Sequence, residues 1–409
     1  MALSFWPTAG LVSFASYLLF CRSLRYLRRD KRHRDYPYKT REDFSRMTTQ
    51  HAFEICKYCI SLEFPFTIEK ALQFALFRTY GIPTISKLLC ETRQLSEVQY
   101  APRRYADTSI LITEFLSHAP ESDRANSAIA RMNFLHGMYQ KSGKISNDDL
   151  LYTLSLFILE VERWVRMYEW RAFTPMELCA FGTLWKSIGD AMGITWEALA
   201  NGQSGFKDGL QFVEDLRLWS DAYEKRNMVP NKWNHQLAEE TIAILLCNAP
   251  RSMKPAGKQA VVTLMDERLR RAMIYDDPPS FYPSLVSLTL TTRKLFIHYL
   301  LPPRPYSMRF KTITDDPDPN TGRYHQIIYE AEPWYVPATL SYRFNLAAWT
   351  RWALGRPFPD GKNFKPQGYH IFELGPEKLE SKGQDECKAT RERLMASGRG
   401  GCPFSFRKA

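Results

Sequence analysis

The sequence predicts an all-α protein, and three observations carry the prediction. Ser146-Asn-Asp-Asp149 and Thr174-Pro-Met-Glu177 each put a hydroxyl at a helix N-cap and an acid three residues on. That pairing satisfies two orphan N–H groups at each helix start. After the first box, Leu150 to Val161 is apolar nearly all round, the pattern of a central buried helix. After the second, Pro175 takes the first helical position and Gly193 marks the end of the helix. The third observation is the stretch Arg131-Met-Asn-Phe-Leu-His136-Gly-Met-Tyr139, in which Ile129, Met132, Asn133 and Tyr139 share the helical face of His136. A histidine on so apolar a face is either hydrogen-bonded within a core or bound to something. Left unpaired, it costs on the order of 1–3 kcal/mol.

From the N-terminus, Ser4 to Cys21 is an uncharged apolar run of eighteen residues, near the lower limit for a membrane-spanning helix. Arg22 to Arg34 follows with seven Lys/Arg against one Asp. This predicts an anchor over residues 1–21, N-terminus in the lumen, and a basic juxtamembrane stem over residues 22–40 held in the cytosol. Placed against an apolar run, the basic cluster suits lipid headgroups rather than nucleic acid. Residues 50 to 300 read as successive helices joined by short polar connectors. Beyond about Leu300, Pro302-Pro303-Arg304-Pro305 and Asp315 to Gly322 are turn-rich, and Gln326–Tyr329 and Tyr335–Leu340 read as short strands or extended segments. An irregular C-terminal extension is therefore expected, ending in a loosely held tail over residues 381–409.

With 409 residues, 44% hydrophobic and 14% aromatic, the chain can bury a large core and line a site for a bulky apolar ligand. Eight cysteines in a cytosolic domain do not form a disulfide scaffold, and Cys56-Lys-Tyr-Cys59 lacks a second pair at zinc spacing, so packing is its expected role. Gly-rich phosphate loops, Gly-x-Ser-x-Gly elbows and His-Glu-x-x-His pairs are absent. Lys186 and Asp190 have the spacing of an ordinary ion pair. His33, His51, His118, His235, His298, His325 and His370 show no ligand spacing among themselves.

Three motifs carry a family resemblance. Arg104-Tyr-Ala-Asp-Thr108, Arg131-Met-Asn-Phe-Leu-His136-Gly and Ile145-Ser-Asn-Asp-Asp-Leu-Leu-Tyr152 resemble the catalytic domain shared by bacterial rubber oxygenases (latex clearing proteins) and fungal ER-bound oxygenases of the MpaB type. Phe358-Pro359 and Gly368-Tyr369 to Glu373-Leu-Gly-Pro376 resemble the fungal branch. The resemblance implies a helical, globin-like catalytic core over residues 41–380 that holds haem b and uses dioxygen to cleave isoprenoid double bonds. It makes His136 the metal ligand, flanked by Arg131 and Asn133 on the cofactor side. Arg104 and Thr108 match the family's Arg-x-x-Lys-Thr segment, while Asp107 replaces its lysine and reverses a charge.

By the same resemblance, Arg104 would pair with a haem propionate or polarise oxygen, its alternative being a surface salt bridge. Non-haem iron remains the second cofactor option. The implied partners are a lipophilic substrate with a prenyl chain, dioxygen, membrane lipid and other enzymes of a secondary-metabolite pathway, at the ER membrane with the catalytic part facing the cytosol. Two other readings stay open: hydroxylation or dehydrogenation of a lipophilic intermediate on the same fold, and a non-catalytic, membrane-tethered binding protein.

Overall fold

A computed structural model describes residues 5–97 and 99–404; residues 1–4, where the apolar run begins, and 405–409, where the tail ends, lie outside the described residues. The centre of the core is α8 (Asn147–Tyr168), packed on α4 (Pro65–Thr79). Around this pair stand α3 (Thr49–Tyr58), α9 (Pro175–Ala191) and α10 (Gly209–Asn227), with α6 (Ala101–Ser117) and α7 (Asp123–Lys141) closing one side. Both expected capping boxes form. The Ser146 hydroxyl accepts the Asp149 N–H at 3.0 Å while the Asp149 carboxylate accepts the Ser146 N–H at 3.3 Å. Thr174 and Glu177 do the same at 3.3 and 2.8 Å. Each cap contributes about 1 kcal/mol and fixes where its helix begins.

Glycines bring α9 and α10 into close contact: a Cβ on Gly182 would lie 2.2 Å from the Gly209 carbonyl oxygen. Beneath α4, the Arg78 guanidinium donates to Glu224 at 2.8 and 2.7 Å, and Tyr152 donates to the same carboxylate at 2.8 Å. This buried charge is held by paired hydrogen bonds, the condition under which burial is tolerated.

Three expectations need correction. Among the described residues no helix is long and apolar enough to cross a membrane, so the single-pass anchor is not supported. The reason lies in α1 (Phe5–Arg25), whose apolar residues are interrupted by Thr8, Gly10, Ser13, Ser16 and Tyr17 and whose last turn carries Arg22 and Arg25. Nor are the described residues of the tail, 381–404, loosely held. Its helix α17 (Gln384–Ala396) packs on α7 and buries Cys387 and Leu394, and the carbonyls of Gly400 and Gly401 accept the N–H groups of Gln50 and Thr49. Finally, the extended segments pair only as isolated bridges, Ile313 with Gln326 and Tyr324 with Tyr369, among the described residues. Prolines and tight turns around them leave no length for a ladder.

Candidate active site

A cavity of about 480 Å³ lies between α4, α5 (Pro83–Glu91), α6, α7 and α8, and is bordered on its remaining side by residues 306–332. That volume suits a small-molecule or cofactor site. Most of its wall is apolar, including Leu72, Leu76, Ile112, Phe115, Leu135 and Phe157.

His136 lines this cavity from α7. Its Nδ1 is sealed from solvent with no hydrogen-bond partner among the described residues. Burial, with the nearby Arg104 charge adding to it, holds the ring's pKa down at about 4. The imidazole is therefore neutral at physiological pH, the form that ligates a metal. Across from it, α6 presents Arg104 and Thr108 to the same space. Residues four apart share a helical face, and here they touch: Arg104 Nη1 donates to Thr108 Oγ1 at 2.7 Å, and that hydroxyl donates to the Arg104 carbonyl at 2.8 Å. Among the described residues, Arg104 has no carboxylate within ion-pair distance. Burial lowers its pKa, opposed by Asp107, Tyr80 and Tyr139. A cavity-lining guanidinium without a carboxylate is suited to an anionic group on a ligand, because its planar fork matches two oxygens.

The other expected site residues lie elsewhere. Asp107 is turned 100° from Thr108 around α6; it is buried outside the cavity wall and accepts the Tyr335 hydroxyl at 2.7 Å. Burial raises its carboxyl to about 6, against Tyr335, Arg103 and Arg104. Arg131, fully buried, donates to the carbonyls of Leu374, Lys382 and Leu379, each at 2.8 Å. It thus clamps the C-terminal segment rather than facing the cavity. Asn133 donates to the Ala191 carbonyl at 2.9 Å and ties α7 to the end of α9. Lys186 and Asp190 form their expected pair at 2.7 Å, with Trp196 Nε1 on the same carboxylate at 2.8 Å. Cys56 and Cys59 are buried, and burial pushes both thiols up, in keeping with packing.

The wall includes one of the histidines among which the sequence could not choose a distal partner, and several residues it did not foresee. His118 lines the cavity at the end of α6, its Nδ1 2.9 Å from the Glu114 carbonyl and 3.2 Å from the Glu114 carboxylate. Glu114 in turn receives Arg124 at 2.8 and 2.7 Å and the Tyr369 hydroxyl at 2.7 Å. Glu69, Gln73 and Glu330 form a polar part of the wall; Gln73 donates to Glu330 at 3.2 Å, and Lys70 lies 3.4 Å from the same oxygen. Burial raises Glu69 to about 7, with Lys70 opposing and Glu330 adding to the rise. A signal for this wall was present in α4, where Ile68, Leu72 and Leu76 recur every four residues beside Glu69 and Gln73.

Among the described residues, no three or more His, Cys, Asp or Glu side chains stand together as a metal-ion site. A mononuclear non-haem iron centre needs about three such donors. Haem iron is met by one axial histidine and by cations that receive its propionates. His136 and Arg104 are suited to that second arrangement.

No family model matches the chain. It is 43% identical over 397 residues to the ER-bound oxygenase mpaB' of Penicillium brevicompactum, covering 96% of this chain and 94% of that protein. It is 40% identical over 373 residues to the ER-bound oxygenase mpaB of the same organism, covering 90% and 88%. With the ER-bound oxygenase mpaB of Penicillium roqueforti (strain FM164) it shares 45% identity over 270 residues, 66% of this chain and 91% of that protein. Similarity at this level along nearly the whole length means that the chain belongs to the mpaB family of oxygenases.

Proposed function

We propose that this protein is an ER-associated, haem-dependent oxygenase that uses dioxygen to cleave a carbon–carbon double bond in the prenyl chain of a lipophilic precursor in secondary metabolism. The observation that carries the reading is His136, a half-buried neutral imidazole whose Nδ1 has no partner among the described residues, on the wall of an apolar cavity that also holds Arg104, a guanidinium with no carboxylate partner among those residues. In this reading His136 holds the haem, in a core of the globin-like kind, and Arg104 binds a propionate. The bound cofactor supplies the activation of dioxygen.

The chain's own residues do the rest. The apolar wall takes up the prenyl chain and excludes water. Thr108, its hydroxyl proton given to the Arg104 carbonyl, holds the Arg104 guanidinium at the same face of the cavity. Glu69, poised near neutrality beside Glu330, holds or releases a proton at a polar group of the substrate. Cleavage balances without an added reductant: both atoms of dioxygen end in two carbonyl fragments. ER association is supported by the names of the relatives.

The test is product analysis. Full-length protein given a prenylated aromatic under isotopically labelled dioxygen is expected to release two carbonyl fragments, each with one labelled oxygen. A hydroxylated or desaturated product with its carbon chain intact would overturn cleavage and leave the family's oxygenase chemistry in place.

A further inference from the structure

A surface helix in a water-soluble protein shows one apolar stripe inward and charges outward. Helix α14 (Phe281–Leu300) departs from this pattern. It has no buried residue and no acidic one. Its inward, half-buried stripe is Tyr282, Val286, Leu290, Arg293, Ile297 and Leu300. A second stripe, Phe281, Leu285, Leu288, Thr292, Leu295 and Tyr299, faces outward at the same four-and-three spacing and is exposed throughout; Leu288 is 65% exposed. This stripe runs about 30 Å along the helix. An apolar face of that length marks an interaction surface.

Helix α1 lies against it. Tyr17 donates to the Leu300 carbonyl at 2.8 Å, and Arg25, buried over the Trp170 ring at 5.0 Å, donates to the Ile297 carbonyl. Leu11, Val12, Phe14, Leu19 and Phe20 of α1 are exposed as well, and α1 is also without an acidic residue. Cations lie where the two helices meet: Arg22 and Arg304 are exposed, and half-buried Arg28 donates to the Arg304 carbonyl. Two acid-free apolar helices bordered by cations match a bilayer with anionic headgroups, and Tyr17 and Tyr299 suit the interface between the two. A protein partner recognised by this collar would need its own acidic rim around a 30 Å apolar groove, a narrower requirement. The chain leaving α14 leads straight to the cavity, because Tyr306, itself exposed, and Phe310 line it.

We propose that α14 is a second membrane-contacting element, lying with its outer stripe in the bilayer surface beside α1, so that the cavity opens toward lipid at the foot of α14. This rests on the membrane association in the function proposed above but not on the haem chemistry.

The test uses the full chain with Cys402→Ser, since Cys402 is the one described cysteine that is not buried. An environment-sensitive dye is placed at Leu288→Cys or, as a control, at Leu218→Cys on the exposed side of α10. On adding phosphatidylcholine–phosphatidylserine vesicles with brominated acyl chains, emission at 288 is expected to shift to the blue and be quenched, and emission at 218 to stay unchanged. Binding to vesicles with the 288 dye still in water overturns the proposal and leaves membrane association standing. Failure to bind vesicles overturns both. A change at 288 with rising protein concentration and no lipid assigns the face to a second copy of this chain and overturns the proposal too. Independently, Leu285→Asp with Leu288→Asp in the unlabelled chain is expected to lower vesicle partitioning at least about tenfold; unchanged partitioning contradicts it.

Discussion

Replacing Arg131 by methionine removes a side chain that is 0% exposed and whose three nitrogens each donate to a carbonyl of residues 374–382 at 2.8 Å. Hydrogen bonds from a charged donor are worth about 1.5–3 kcal/mol apiece. Part is recovered, because the methionine no longer buries a charge and the freed carbonyls regain some water as the segment loosens. The net loss expected is about 3–5 kcal/mol. For a chain of this length the unfolding entropy is about 0.9 kcal/mol per degree, so the thermal midpoint should fall by roughly 3–6 °C. Arg131→Lys should fall in between, because one ammonium cannot reach three carbonyls arranged for a fork. Calorimetry on cofactor-free protein reads both. A loss under about 1 kcal/mol for Arg131→Met, or weakened haem binding at unchanged stability, would refute the clamp and return Arg131 to the cofactor side.

Three further outcomes follow from the same geometry. Arg104→Gln should weaken haem binding at least about tenfold in a Soret titration, the loss of one charge-assisted contact, while Asp107→Asn should leave it unchanged because Asp107 faces Tyr335. The His136 pKa lies below its ordinary 6.5, at about 4. The cofactor-free protein should therefore have the full contribution of this residue above pH 6.5 and lose it progressively as pH falls toward 4; His136→Phe should flatten denaturant-melt stability across that window. Gly182→Ala, which forces a Cβ against the Gly209 carbonyl, should cost about 1–3 kcal/mol in the same melts without altering the Soret band of haem-loaded protein.

What the sequence disclosed was local. Capping boxes, proline at the first helical position and the apolar face of α7 involve residues within four of one another, so they were legible, and α8 and α9 begin where the boxes stand. The Arg104–Thr108 pair and His136 were placed by family resemblance, and both line one cavity. Neighbours of these residues lie off the cavity wall for a simple reason. Nearness along a helix is not nearness in direction: Arg131 lies about 140° around α7 from His136 and Asp107 100° around α6 from Thr108. His118, Glu69 and Glu330 reach the cavity from α6, α4 and the irregular segment after α14, and long-range closure of that kind leaves no local periodicity. The anchor was misread because an apolar run was judged alone, whereas α1 packs against α14, nearly three hundred residues away.

The central claim is that His136 ligates a haem. The most direct measurement is the visible spectrum and iron content of the purified full chain and its His136→Ala variant, each reconstituted with haem and checked for folding by circular dichroism. The account predicts a Soret band and one haem per chain in the wild type, with the band lost or shifted in the folded variant. A wild type that takes up no haem, or a variant whose Soret band is identical, would contradict it.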